Sequence, residues 1–95
     1  MVIFNPPHPG ETLFEDVLPE LGIGIAELAR RLGIASESLS RVLHGHAPIS
    51  PDLVVRLELA GIGKACTWLG VQADYDLWQA RQREPLHAER LAAIA

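Results

Sequence analysis

The chain has 95 residues, 12 acidic and 8 basic side chains, a net charge of −4, 48% apolar residues and only 5% aromatics. That composition suits one small domain, residues 1–95, with a mainly aliphatic core, marginal enough that a dimer would usefully bury more surface. It excludes a disordered polymer, and no apolar run is long enough to span a membrane. The start M-V-I-F-N-P-P lacks the basic opening of a secretory signal, and the single Cys66 rules out an internal disulfide or multi-cysteine metal site, so a cytoplasmic protein is expected.

Asn5-Pro6-Pro7-His8-Pro9-Gly10-Glu11 reads as an extended lead-in, because each residue before a proline is pushed away from helix. Pro9 suits the first turn of a helix whose positive end attracts Glu11, Glu15 and Asp16. Leu13, Phe14, Val17, Leu18 and Leu21 supply its buried side, with Pro19 and Gly22 limiting its length. Ile25, Leu28, Ala29 and Leu32 then fall at i, i+3, i+4 and i+7, one apolar helix face. Gly33 can adopt the left-handed turn that stops this second helix. Leu39, Val42 and Leu43 mark a third helix over Ser36 to His44, closed by Gly45. Two short helices joined by a tight turn cross steeply, and the small Ala29 lets them approach. That is helix-turn-helix geometry, with its core at about 24–45 and its second helix presented to a DNA major groove.

Ser50-Pro51-Asp52 forms a strong start for a fourth helix: serine cap, proline in the first turn, then an acid. Leu53, Leu57 and Ala60 share one face, and Gly61 ends it. A longer fifth helix spans Lys64 to Arg83, with Trp68, Val71, Tyr75 and Trp78 on one stripe. The stripe reads equally as core packing or as a dimer or partner surface, where such side chains concentrate. Pro85 restarts a short alanine-rich helical extension over about 84–95, or a frayed tail. The class is all-α.

The segments N-P-P-H-P-G-E, A-E-L-A-R-R-L-G-I…S-R-V-L-H-G, P-I-S-P-D and W-L-G-V-Q-A-D-Y-D-L-W together resemble the HigA/VapI-type antitoxins of the XRE helix-turn-helix family, the plasmid-maintenance antidote-like proteins. The match runs from Asn5 to about Ala80 in the family's order and spacing. The resemblance implies a lambda-repressor-like bundle of five helices. It also implies a homodimer that binds palindromic operator DNA, represses its own operon and neutralises a ribonuclease toxin of the HigB/RelE-like class. Departures fall on the DNA-reading surface. Family members usually carry a serine cap and a glutamine where this chain has Gly24 and Ile25. The recognition helix usually has a serine cap at the place of Ala35, followed by polar or basic residues, whereas here Ser36 and Glu37 follow. The common asparagine before the closing glycine is His44.

At ~100° per residue, a core side centred on Leu39 turns Glu37, Ser40, Arg41 and His44 outward. Arg41 is the candidate base reader, since a guanidinium matches the two acceptors of guanine bidentately. Ser36, Ser38 and Ser40 can hydrogen-bond phosphates or bases, while Arg30, Arg31 and His46 are assigned to phosphate. Glu37 is an ordinary first-turn acid or a partner for cytosine, and it lies four residues before Arg41, the favourable order for an ion pair. That pair would either orient Arg41 or hold it from DNA. His44-x-His46 lacks a third metal ligand. Asp74 and Asp76 diverge by ~200° on a helix, and no nucleophile constellation or phosphate loop is present. The expectation is therefore neither an enzyme nor a cofactor binder. Two alternatives stand beside the antitoxin: a protein-binding antitoxin with weak or lost DNA affinity, favoured by Ile25, Ala35, Glu37 and the acidic total, and a stand-alone XRE-type transcription regulator.

Overall fold

A computed structural model describes residues 5–83 and 87–91, and among them all regular structure is helical. Helix α1 is made of Pro9–Thr12, a wide π turn over Leu13–Val17, and Leu18–Leu21. His8 caps it, its Nδ1 accepting from the Gly10 amide at 2.9 Å. Pro19 does not stop the helix as the sequence suggested. Its ring would collide with the Glu15 carbonyl in a regular α-helix. The chain widens just before it, so that the Leu18 amide donates to the Leu13 carbonyl, five residues back. Gly22 ends α1, its amide donating to Leu18 at 2.9 Å.

Helices α2 (Ile25–Leu32) and α3 (Ser36–Leu43) form the central pair. Gly33 sits at φ 75°, a left-handed conformation that side chains with a Cβ resist. This lets the Ile34 amide fold back onto the Ala29 carbonyl at 3.0 Å and turn the chain within three residues. Leu28, Ala29 and Leu32 of α2 are buried with Leu39, Val42 and Leu43 of α3. Helix α4 (Pro51–Leu59) starts as expected, the Ser50 hydroxyl accepting from the Leu53 amide at 3.1 Å. Helix α5 (Ala65–Gln82) lies against it, contributing Trp68 to the core. Leu13, Leu39 and Leu57 are fully excluded from water, so truncating any of them to alanine should cost about 2–5 kcal/mol.

Three contacts hold the central pair to the rest. Gly10 sits where any added Cβ would lie 1.9 Å from the Val42 carbonyl, so the backbones of α1 and α3 touch directly. The Arg56 Nη1 of α4 donates to the carbonyls of Leu32 at 2.7 Å and Gly33 at 3.3 Å, tying down the end of α2. The buried Gln72 of α5 accepts from the Ile49 amide at 2.7 Å and donates to Asp76 at 2.9 Å, anchoring the loop that follows α3.

The expected C-terminal helical extension does not appear in its described part. Residues 87–91 are exposed and irregular, and an exposed stretch gains no burial to offset the cost of starting a helix. Residues 84–86 and 92–95 of that extension lie outside the described residues. Among the described residues, no helix is long and apolar enough to cross a membrane.

Candidate nucleic-acid interface

Helix α3 buries one side and leaves Ser36, Glu37, Ser38 and Arg41 exposed, with Ser40 half-buried. Neither α2 nor α3 has a side-chain cap, since Gly24 and Ala35 occupy the cap positions in extended conformation. The first-turn amides of both helices are therefore open to an acceptor such as a phosphate oxygen. Arg41 forms no ion pair among the described residues. The expected Glu37–Arg41 pair is absent: both side chains are exposed, where an ion pair gains little against the entropy of ordering two long chains.

Arg30 and Arg31 stand in the last turn of α2 and are exposed, but both are engaged by Glu27. Arg30 donates to the two Glu27 carboxylate oxygens at 3.0 and 2.6 Å, and Arg31 donates to one of them at 2.7 Å. The hydrogen bonds from Arg30 and then Arg31 hold the Glu27 carboxyl down to about 2, and the same contact raises the Arg30 guanidinium further. One carboxylate thus occupies both cations assigned to phosphate, a residue that the sequence reading passed over. The spacing i, i+3 and i+4 carried the signal.

His44 is exposed, as Arg41 is, but its ring is held by local contacts. Its Nδ1 lies 2.8 Å from the Ser40 carbonyl and 3.3 Å from the Ser40 hydroxyl, and its ring leans on Phe14 of α1 at 5.1 Å. His46 follows the Gly45 turn and is exposed, its amide donating to the Arg41 carbonyl at 2.8 Å. The sequence-assigned set therefore divides. Ser36, Glu37, Ser38 and Arg41 share the open helix surface, Arg30 and Arg31 are exposed on α2 but tied to Glu27, and the exposed His44 rests against Phe14 of α1.

The aromatic stripe of α5 also divides. Trp68 is core, its Nε1 donating to the Ile62 carbonyl at 2.8 Å. Tyr75 meets His8 edge-on at 4.9 Å. Val71 and Trp78 are half-buried, and Trp78 Nε1 is shielded without an acceptor among the described residues. The exposed apolar row of α5 lies beside the stripe, at Leu69, Ala73 and Leu77.

The fold and the outward α3 define a helix-turn-helix protein. No family model matches the chain. It is 40% identical over 74 residues to virulence-associated protein A of Dichelobacter nodosus, covering 77% of this chain and 72% of that protein. The solved structure of PA4674 of Pseudomonas aeruginosa in complex with its operator DNA shares 33% identity and a TM-score of 0.76, over 80% of this chain and 84% of that one. The Pseudomonas aeruginosa antitoxin HigA, solved with the higBA promoter, shares 31% identity and a TM-score of 0.75, over 86% and 99%. The chain belongs to the HigA/VapI-type antitoxins of the XRE helix-turn-helix family.

Proposed function

We propose that this chain is the antitoxin of a type II toxin-antitoxin system. As a single-domain homodimer in the cytoplasm, it binds palindromic operator DNA to repress its own operon, and it neutralises a HigB/RelE-like ribonuclease toxin. The carrying observation is the exposed face of α3 with its uncommitted Arg41, on a fold shared with relatives solved on operator DNA. Arg41 reads a base, Ser36, Ser38 and Ser40 bond to bases or phosphates, and the open amides of α2 and α3 hold phosphate. Arg30, Arg31 and His46 add phosphate contacts once the arginines leave Glu27. The exposed row Leu69, Ala73 and Leu77 is the candidate dimer seam, with Val71 and Trp78 at its edge. Two α3 helices related by a two-fold axis read half-sites about one DNA turn apart, ~34 Å. Footprinting on the DNA upstream of the gene tests this: two protected half-sites at that spacing are expected, and a single protected site would refute the dimer.

One observation favours a second reading, an antitoxin that acts mainly by binding protein. Glu27 engages two of the three arginines in the helix-turn-helix and cancels one of their charges, and Ile25 stands where a hydrogen-bonding side chain would meet phosphate. Co-expression with a RelE-like ribonuclease toxin separates the two: growth rescue without operator binding is the outcome specific to this reading.

A further inference from the structure

The first 29 residues carry five carboxylates and no lysine or arginine. Glu27 is paired with arginines, but Glu11, Glu15, Asp16 and Glu20 are exposed and form no ion pair among the described residues. On the same helix Phe14 and Leu21 leave 41% and 46% of their surface exposed, putting apolar area next to these carboxylates. Phe14 walls an open apolar groove completed by Leu18, Pro19, Ile23 and Ile25. It also walls an acidic recess that contains Glu11 and Glu15 and ends at His44 and Tyr75. One aromatic ring therefore separates an apolar slot from a negatively charged one.

We infer that this surface of α1 docks a basic protein partner, which sets an aliphatic side chain in the groove beside Ile25 and a lysine or arginine between Glu11 and Glu15. Charge decides the occupant. DNA and anionic lipid would be repelled by the four free carboxylates, and a second copy would bring the same acidic surface against itself. A cationic segment with an apolar anchor complements both halves. The groove includes Gly24 and Ile25, the start of α2, whose amides are open to phosphate. A docked partner covers them, so partner and DNA compete for the protein. This competition rests on the DNA-binding reading above; the docking surface does not.

The test uses a short fluorescent peptide alternating arginine and leucine, followed by polarisation with the full chain. Glu11→Gln with Glu15→Gln should weaken binding about tenfold or more, and Phe14→Ala should do the same. Asp16→Asn with Glu20→Gln, the same charge change outside the recess, should leave affinity within about twofold, as for rim charges. A peptide with serine in place of leucine should bind about tenfold more weakly. Equal losses from the two charge pairs, or equal affinity for the serine peptide, would overturn the site. The isosteric glutamine pair keeps the test decisive even if Phe14→Ala fails to fold. For the competition, the arginine-leucine peptide is added to complexes of the chain with its upstream DNA. It should displace the parent chain at lower concentration than the Glu11→Gln, Glu15→Gln variant. Equal displacement would mean that the peptide acts on the DNA, and would overturn the competition. If the chain binds no upstream DNA, the competition falls with the DNA-binding reading, while the direct peptide assay still decides the docking surface.

Discussion

Glu27→Gln should strengthen DNA binding. In the present structure one carboxylate accepts from Arg30 at 2.6 and 3.0 Å and from Arg31 at 2.7 Å. Both cations must leave it before they reach phosphate. Acid cannot release them at practical pH, because the Glu27 carboxyl is held down to about 2 from an ordinary 4.5. Any stability this depressed carboxyl adds is present above 4.5 and is lost only as pH falls toward about 2. Glutamine keeps the shape and removes the charge. Each phosphate contact adds about 0.9 to the slope of log affinity against log salt, so two freed arginines steepen it by up to about 1.8 per protomer. Over a fourfold change of salt, that slope corresponds to roughly a twelvefold change in affinity. The gain should be largest at low salt and equal on upstream and scrambled DNA, since phosphate carries no sequence. Polarisation titrations on both DNAs across a salt series measure it, and thermal melting should show little change because the pair is exposed. An unchanged affinity and slope on both DNAs would show that Glu27 does not hold Arg30 and Arg31 back from phosphate.

Arg41→Ala should instead lower affinity for the upstream site by about 1–3 kcal/mol and relax preference at one base position, with scrambled DNA less affected; equal loss on both sequences would make Arg41 a phosphate contact. Gly10→Ala forces a Cβ to within 1.9 Å of the Val42 carbonyl, so it should cost about 3 kcal/mol or more in urea unfolding, and a near-neutral result would mean that α1 and α3 are not in backbone contact. His8 is buried, and desolvation lowers its pKa from 6.5 despite the opposing Asp76, Ala47 carbonyl and Glu11. The unfolded chain then binds more protons between the folded value and 6.5, so stability should be full above 6.5 and fall as pH drops through the folded value. Urea midpoints at pH 8 and pH 5 compare the two, and His8→Asn should flatten the difference.

The helices were legible wherever punctuation and period agreed. Ile25 to Leu32, Gly33 and the Ser50-Pro51-Asp52 start each combine an apolar stripe with a stop or cap signal, and the fold uses them as written. Pro19 misled because a local rule for helix stopping ignores the option of a wider turn one step earlier. The recognition surface was legible as a face but not as a set of partners. Helical angles place His44 outward and it is exposed, but its contacts with Phe14 and its own helix carbonyl could not be read from them. Trp68, Tyr75 and Trp78 share a stripe, but only tertiary contacts show that Trp68 is core, bonded to Ile62, while Tyr75 meets His8 and stays half-buried, as Trp78 does. Gln72 and Arg56 act on backbone 23 or 24 residues away, a distance at which no local pattern in the chain can pair them.

The most direct test of the central claim is binding of the purified chain to its own upstream DNA against a scrambled sequence at two salt concentrations. A clear preference for the upstream DNA, weakening steeply as salt rises, is the predicted result. Equal binding to both DNAs, or none at the lower salt, would contradict the account and leave α3 as a scaffold inherited from DNA-binding relatives.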